Sequence, residues 1–166
     1  MADKDLVIKE KIAHSGIWDF AALYSYAHSW FVEEGYGVVE EKYSEKVSGN
    51  KKNIYIEWSC KKEISDYFNI EFKLKFFING LSDVEVEIDG EKKEMNKGNV
   101  LIEIKGILTK DPKSKWDTTP LYKFMRDVYN KYVIPARVDA LENKTIGDVQ
   151  TFKDELKAFL ELSGKR

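Results

Sequence analysis

One cysteine, two histidines and no long apolar run are the scarce features of this chain, and each scarcity closes a class of function. With Cys60 alone, no disulfide can form within the chain. Cys60 falls on the apolar side of a strand pattern, where a lone thiol reads as a small buried hydrophobe. His14 and His28 have neither a cysteine nor a paired carboxylate beside them in sequence, so no metal site is expected. No apolar stretch approaches the ~20 residues of a spanning helix. The opening MADKDLVIKEK lacks the apolar core of a signal peptide. A soluble, cytoplasmic protein without a membrane span is expected. An excess of one charge is missing too: 27 basic and 29 acidic residues are interspersed and leave a formal net charge of -2. That balance points to neither a nucleic acid partner nor an anionic membrane surface. Gly35-Tyr36-Gly37 lacks the rest of either nucleotide-binding fingerprint, no Gly-x-Ser-x-Gly elbow occurs, and no cofactor is expected.

What the chain does have is alternation. From Ile54 to Ile88 the even positions are almost all apolar and the odd positions mostly Glu, Lys, Asp, Asn and Ser. Side chains on a strand point alternately to opposite faces, so this is a sheet with one apolar and one solvated face. A three-residue loop, Ser65-Asp66-Tyr67, sets Ile64 opposite Phe68. The inward pairs are then Cys60–Phe72, Trp58–Leu74, Ile56–Phe76 and Ile54–Ile78. The outward pairs are Lys61–Glu71, Glu57–Lys75 and Tyr55–Phe77, and opposite charges or paired aromatics each add about 0.2–1 kcal/mol. A further turn at Asn79-Gly80 would set Ile78 opposite Val84 and Lys75 opposite Glu87. The acidic row Asp83, Glu85, Glu87 and Asp89 lacks the spacing and glycine of a calcium loop and reads as a lysine-paired solvated face. Asp89-Gly90 and Asn96-Lys97-Gly98 are turn signals, and Asn99 to Thr109 reads as the last strand.

Around this sheet lie a strand and three helical patterns. Leu6 to Ile12 reads as a first strand, with Glu10 on the side of Leu6, Ile8 and Ile12, either at the rim or paired. Ser15 is the expected N-cap of a helix running to about Glu34, with Gly35 just past its end. That helix is aromatic on two sides, through Phe20, Tyr24 and Phe31 on one and Trp18, Tyr26 and Trp30 on the other. Both sides require a cover. Val39, Tyr43 and Val47 mark a strand ending at Ser48-Gly49-Asn50. Thr119 and Pro120 signal a second helix with the stripe Leu121, Phe124, Met125, Val128 and Tyr132, which Pro135 should kink or break near Tyr132. Thr145 with Asp148 signals a third, carrying Val149, Phe152, Leu156, Phe159 and Leu160.

The expected class is α+β: strand, helix, antiparallel sheet of five or six strands, C-terminal helices, in a single domain 1–166. This order, with the helix opening Ile17-Trp18-Asp19-Phe20 and the further Trp30, resembles the helix-grip fold of the START-related and birch-pollen-allergen superfamily. The resemblance covers roughly Leu6 to Leu141, so that 1–141 would be the helix-grip body and 145–163 an additional helix. It implies a curved sheet gripping a helix around an apolar ligand. The inner wall would be Trp58, Phe72, Phe76, Val86 and Ile104 from the sheet, with Phe124, Met125 and Val128 from the helix; these residues either fill the space as an ordinary core, the default of a close-packed interior, or line a cavity for the ligand. Tyr24, His28 or Glu10 would supply a polar handle. The alternatives are a non-catalytic interaction protein, self-associating through the aromatic helix or the last helix, and an enzyme of the cyclase or hydrolase kind found on this fold.

Overall fold

The computed structural model describes residues 3–65, 67–110, 120–128 and 135–163. Five strands form one antiparallel sheet in the order β1-β5-β4-β3-β2. They are β1 (Asp3–Trp18), β2 (Gly37–Ser48), β3 (Lys51–Glu63), β4 (Phe68–Ile88) and β5 (Glu91–Lys110). The helices are α1 (Phe20–Glu33), α2 (Pro120–Val128) and α3 (Pro135–Ser163). A five-stranded antiparallel sheet bearing a C-terminal helix is an α+β fold compatible with a helix-grip arrangement.

The β3–β4 hairpin has the register that alternation and charge predict: Cys60 opposite Phe72, Trp58 opposite Leu74, Ile56 opposite Phe76 and Glu57 opposite Lys75. Ile64 N–H donates to the Phe68 carbonyl at 3.0 Å and closes the loop; Asp66, within it, lies outside the described residues. Tyr55 and Phe77 meet on the outer face with ring centroids 5.1 Å apart. Glu71, expected to face Lys61 in solvent, is buried and accepts from Ser59 Oγ at 2.7 Å, with Lys4 Nζ at 3.9 Å.

The next turn falls elsewhere. Asn79-Gly80 is a β-bulge inside β4, not a hairpin. Gly80 takes φ 65 there, and the backbone of β4 crowds Gly98 of β5. The hairpin closes at Asp89-Gly90, where φ values of 52 and 82 make the two-residue turn whose twist matches the strands. Lys75 therefore faces Glu103 rather than Glu87, and Lys73 faces Lys105. One alternating row, Lys42–Glu57–Lys75–Glu103–Lys11, crosses all five strands. Beyond the bulge the even residues of β4 pair with odd residues of β5, Val84 with Met95 and Val86 with Lys93.

Strand β1 runs well past Ile12, and Asp19, not Ser15, caps α1. The Asp19 carboxylate accepts from Ala22 N–H at 3.2 Å, and Phe20 N–H donates to Asn96 Oδ1 at 2.9 Å. Ser15 is paired in the strand with Asn99, so the helix cannot begin there. At the other end Tyr36 N–H reaches the Phe31 carbonyl and Gly35 N–H the Val32 carbonyl, a Schellman motif with Gly35 at φ 87. The Phe31 and Tyr36 rings supply the apolar contact that accompanies it, at 5.6 Å.

Helices α1 and α3 share the inner face of the sheet. Helix α3 lies over β1 and β5, burying Val149, Phe152, Leu156 and Leu160. Its course corrects the expected start at Thr145. That residue sits mid-helix, its hydroxyl donating to the Leu141 carbonyl at 2.8 Å. Helix α1 is covered on both aromatic sides from within the chain: Tyr24 meets Trp58 and Phe31 meets Phe72 on one, and Trp30 meets Phe152 and Tyr26 stacks on Phe159 on the other. Glu10 faces α3 and accepts from Lys153 Nζ at 2.8 Å. The expected cap Thr119 and the stripe member Tyr132 lie outside the described residues.

Candidate functional site

The residues expected to form one inner wall separate into three places. Trp58, Phe72, Phe76 and Ile104 are fully buried on the inner face of the sheet. Val86 is half-buried on the far part of β4. Phe124, Met125 and Val128 do not face the sheet: they are exposed along α2, at 65%, 44% and 37%. The inner face is already covered by α1 and α3, which leaves α2 no apolar surface to grip there.

Where a ligand was expected, between the middle of the sheet and the C-terminal helix, there is packed core. Trp30, Phe31, Tyr36, Phe72 and Phe152 meet edge-on or tilted, with Phe31 to Phe152 at 4.7 Å and Tyr36 to Phe72 at 5.1 Å. The polar ends of two of these rings are satisfied on the helix side. Trp30 Nε1 donates to Glu155 at 2.6 Å and the Tyr36 hydroxyl to Asp148 at 3.1 Å. Burial first, then the Asp148 carboxylate, pushes the Tyr36 phenol well above its ordinary value. Such packing is the normal state of an interior.

Two of the proposed handles do come together with Trp58. The Tyr24 hydroxyl donates to Glu40 Oε1 at 2.8 Å, and Trp58 Nε1 donates to the same oxygen at 3.2 Å. Tyr24 meets Trp58 edge-on at 5.2 Å, and the exposed His28 does so at 6.0 Å. Burial, then the Glu40 hydrogen bond and charge, pushes the Tyr24 phenol up to about 12. It therefore stays protonated and acts as a donor across the neutral range. Glu40 carried no signal in sequence, because a bulge between Glu40 and Lys42 sets it opposite Trp58. The cluster ties α1 to β2 and β3.

The sizeable opening lies elsewhere. Strands β4 and β5 run on together past Lys52, the last β3 residue paired with β4, and past Trp18, the last β1 residue paired with β5. Between this two-stranded arm and the helices lies an open cleft of about 700 Å³. Its apolar lining is Ala22 of α1, Ile88 and Met95 of the arm, and Phe159 and Leu162 of α3. Its charged lining is Asp89, Glu91, Lys92 and Lys93 on the arm and Asp19 at the start of α1. Neither Tyr24 nor His28 lines it. A bulge next to a glycine bends a strand locally, and that is what sequence alternation alone cannot register. A second, more charged groove of about 310 Å³ lies on the outer face, between Glu57, Lys73, Glu103 and Lys105.

Among the described residues no group of three or more His, Cys, Asp or Glu side chains is placed to hold a metal ion. No helix among them is long and apolar enough to cross a membrane. Comparison with family models, with curated proteins and with solved structures returned no match.

Proposed function

We propose that the chain binds a small amphipathic molecule, without catalysis, in the cleft between the β4–β5 arm and the ends of α1 and α3. One observation carries this reading: among the described residues the sheet–helix interface is packed through its middle and opens to about 700 Å³ at the arm. That volume is within the range of small-molecule sites, and a lining that sets Ala22, Ile88, Met95, Phe159 and Leu162 beside charges of both signs suits a molecule with an apolar body and a polar head. The reading keeps the helix-grip principle of a ligand held between sheet and C-terminal helix, moved from the middle of the interface to its open end. Trp18 and Trp30 are buried inside the chain, so the aromatic helix has no tryptophan surface left for a partner.

Native mass spectrometry of the protein from its own host, together with anilinonaphthalene sulfonate fluorescence, tests the proposal. A retained small molecule, and dye binding lost in Leu162→Glu but kept in Phe124→Glu, is the expected result. Leu162 is 67% exposed, so its substitution leaves the core intact. Dye binding indifferent to Leu162→Glu and to Met95→Glu, with nothing retained, would overturn it.

A further inference from the structure

On the outer face of the sheet, Lys42, Glu57, Lys75, Glu103 and Lys11 alternate in sign across all five strands. The adjacent row does not alternate. Lys73 of β4 stands opposite Lys105 of β5, and Lys105 stands opposite Lys9 of β1. Neighbouring strands lie about 5 Å apart, so three lysines share a band about 10 Å wide. Like charges directly opposite one another destabilise a sheet. Among the described residues no carboxylate lies within ion-pair distance of any of the three. The carboxylates of the flanking rows are already engaged. Glu103 lies 4.0 Å from Lys11 Nζ, and Glu57 accepts from the Tyr55 hydroxyl. Glu71 is buried and accepts from Ser59 Oγ at 2.7 Å.

We infer that the row of Lys73, Lys105 and Lys9 binds a small oxyanion of the phosphate type. The row breaks a local rule of sheet stability with no compensation from the chain, and natural proteins break such rules at functional sites. A doubly charged oxyanion over the row supplies the compensation, turning two repelling pairs into charge-assisted hydrogen bonds. Lys73 and Lys105 line the outer groove of about 310 Å³, which is room for a small ligand. Its other charged lining is Lys75 with Glu41, Glu57 and Glu103. Those three carboxylates would repel a long polyanion running across the strands. Groove size and border therefore select a small anion over a nucleic acid.

Titration of the full chain with inorganic phosphate at constant ionic strength, followed by amide chemical shifts, tests the inference. Saturable shifts centred on Lys9, Lys73 and Lys105 are expected. Lys105→Gln should weaken binding about tenfold, whereas Lys46→Gln, an exposed position elsewhere on the sheet, should bind as the native protein does. In phosphate-free buffer Lys105→Gln should keep or raise the thermal midpoint, because it relieves both repelling pairs. Tighter binding of glycerol 3-phosphate than of phosphate would identify the ligand as a phosphate ester, and equal binding would identify it as the free anion. Shifts no larger than those from sodium chloride overturn the inference. So does phosphate binding that survives Lys105→Gln, a lower midpoint of that variant in phosphate-free buffer, or binding to single-stranded DNA that tightens with its length. Leu162→Glu, which tests the cleft, should leave phosphate binding unchanged.

Discussion

Gly106 of β5 and Val149 of α3 stand so close that a Cβ on the glycine would lie 2.9 Å from Val149 Cγ2. Ile8 and Thr145 close the same space, each with a methyl at 3.0 Å. All three neighbours are β-branched and stiff at χ1. Gly106→Ala should therefore lift the helix from the sheet and cost about 1–3 kcal/mol. A thermal midpoint equal to that of the native protein would mean that α3 can shift freely.

Gly98 is constrained by backbone rather than side chains. A Cβ there would meet Leu81 Cα at 3.0 Å and the Gly80 carbonyl at 3.1 Å. Backbone cannot turn aside as a rotamer can, so Gly98→Ala should destabilise by at least about 1 kcal/mol. It should also loosen the arm, raising amide exchange at residues 82–97 more than at β3. Uniform exchange rates across β4 would contradict the role given to the bulge.

The two cap candidates of α1 make opposite predictions. Asp19→Ala removes the carboxylate that accepts from Ala22 N–H and should cost about 0.5–2 kcal/mol. Ser15→Ala, an exposed strand position, should cost less than about 0.5 kcal/mol. Chemical denaturation of the two variants side by side tests this; a larger loss in Ser15→Ala would move the cap.

Glu10 and Lys153 join β1 to α3 at 2.8 Å, with side chains 27% and 30% exposed. A double-mutant cycle with Glu10→Gln and Lys153→Met should return a coupling of about 0.5–1 kcal/mol. Additive effects would show that the pair does not help to seat α3.

Stability should fall in alkali. Burial, then the charge of Glu71, pushes the Cys60 thiol up from its ordinary 9.0 to about 12. In the unfolded chain the thiol loses its proton near pH 9, while the folded protein keeps it until about 12. The folded state thus binds more protons between these values. The contribution is complete below pH 9 and is lost as pH rises toward 12, by up to about 1.4 kcal/mol per pH unit for one group. The raised Tyr36 phenol adds to the loss above its ordinary value of 10.0. Urea midpoints from pH 8 to 11 should decline, and Cys60→Ala should flatten the early part of the decline. A midpoint constant over that range would refute the assignment.

The β3–β4 register was legible because face, turn length and charge all report on the same pairing, and Cys60–Phe72 and Glu57–Lys75 satisfy them together. The cleft was not. Asn79-Gly80 reads locally as a turn, and only the partner strand, with Gly98 beneath it, makes it a bulge. Glu40 was invisible for the same kind of reason, since its place beside Tyr24 and Trp58 follows from a bulge in β2.

The amino-acid sequence by itself determined the elements that depend on near neighbours: the alternating strands, the Schellman stop at Gly35 and the apolar stripes of the helices. Which stripe covers the sheet was decided only in three dimensions. Phe124 and Phe152 both sit in amphipathic patterns, yet Phe152 is buried against Phe31 and Phe124 is left in solvent. The reason is competition for one surface. Once α1 and α3 cover the inner face, a further apolar stripe has no apolar area left to gain there.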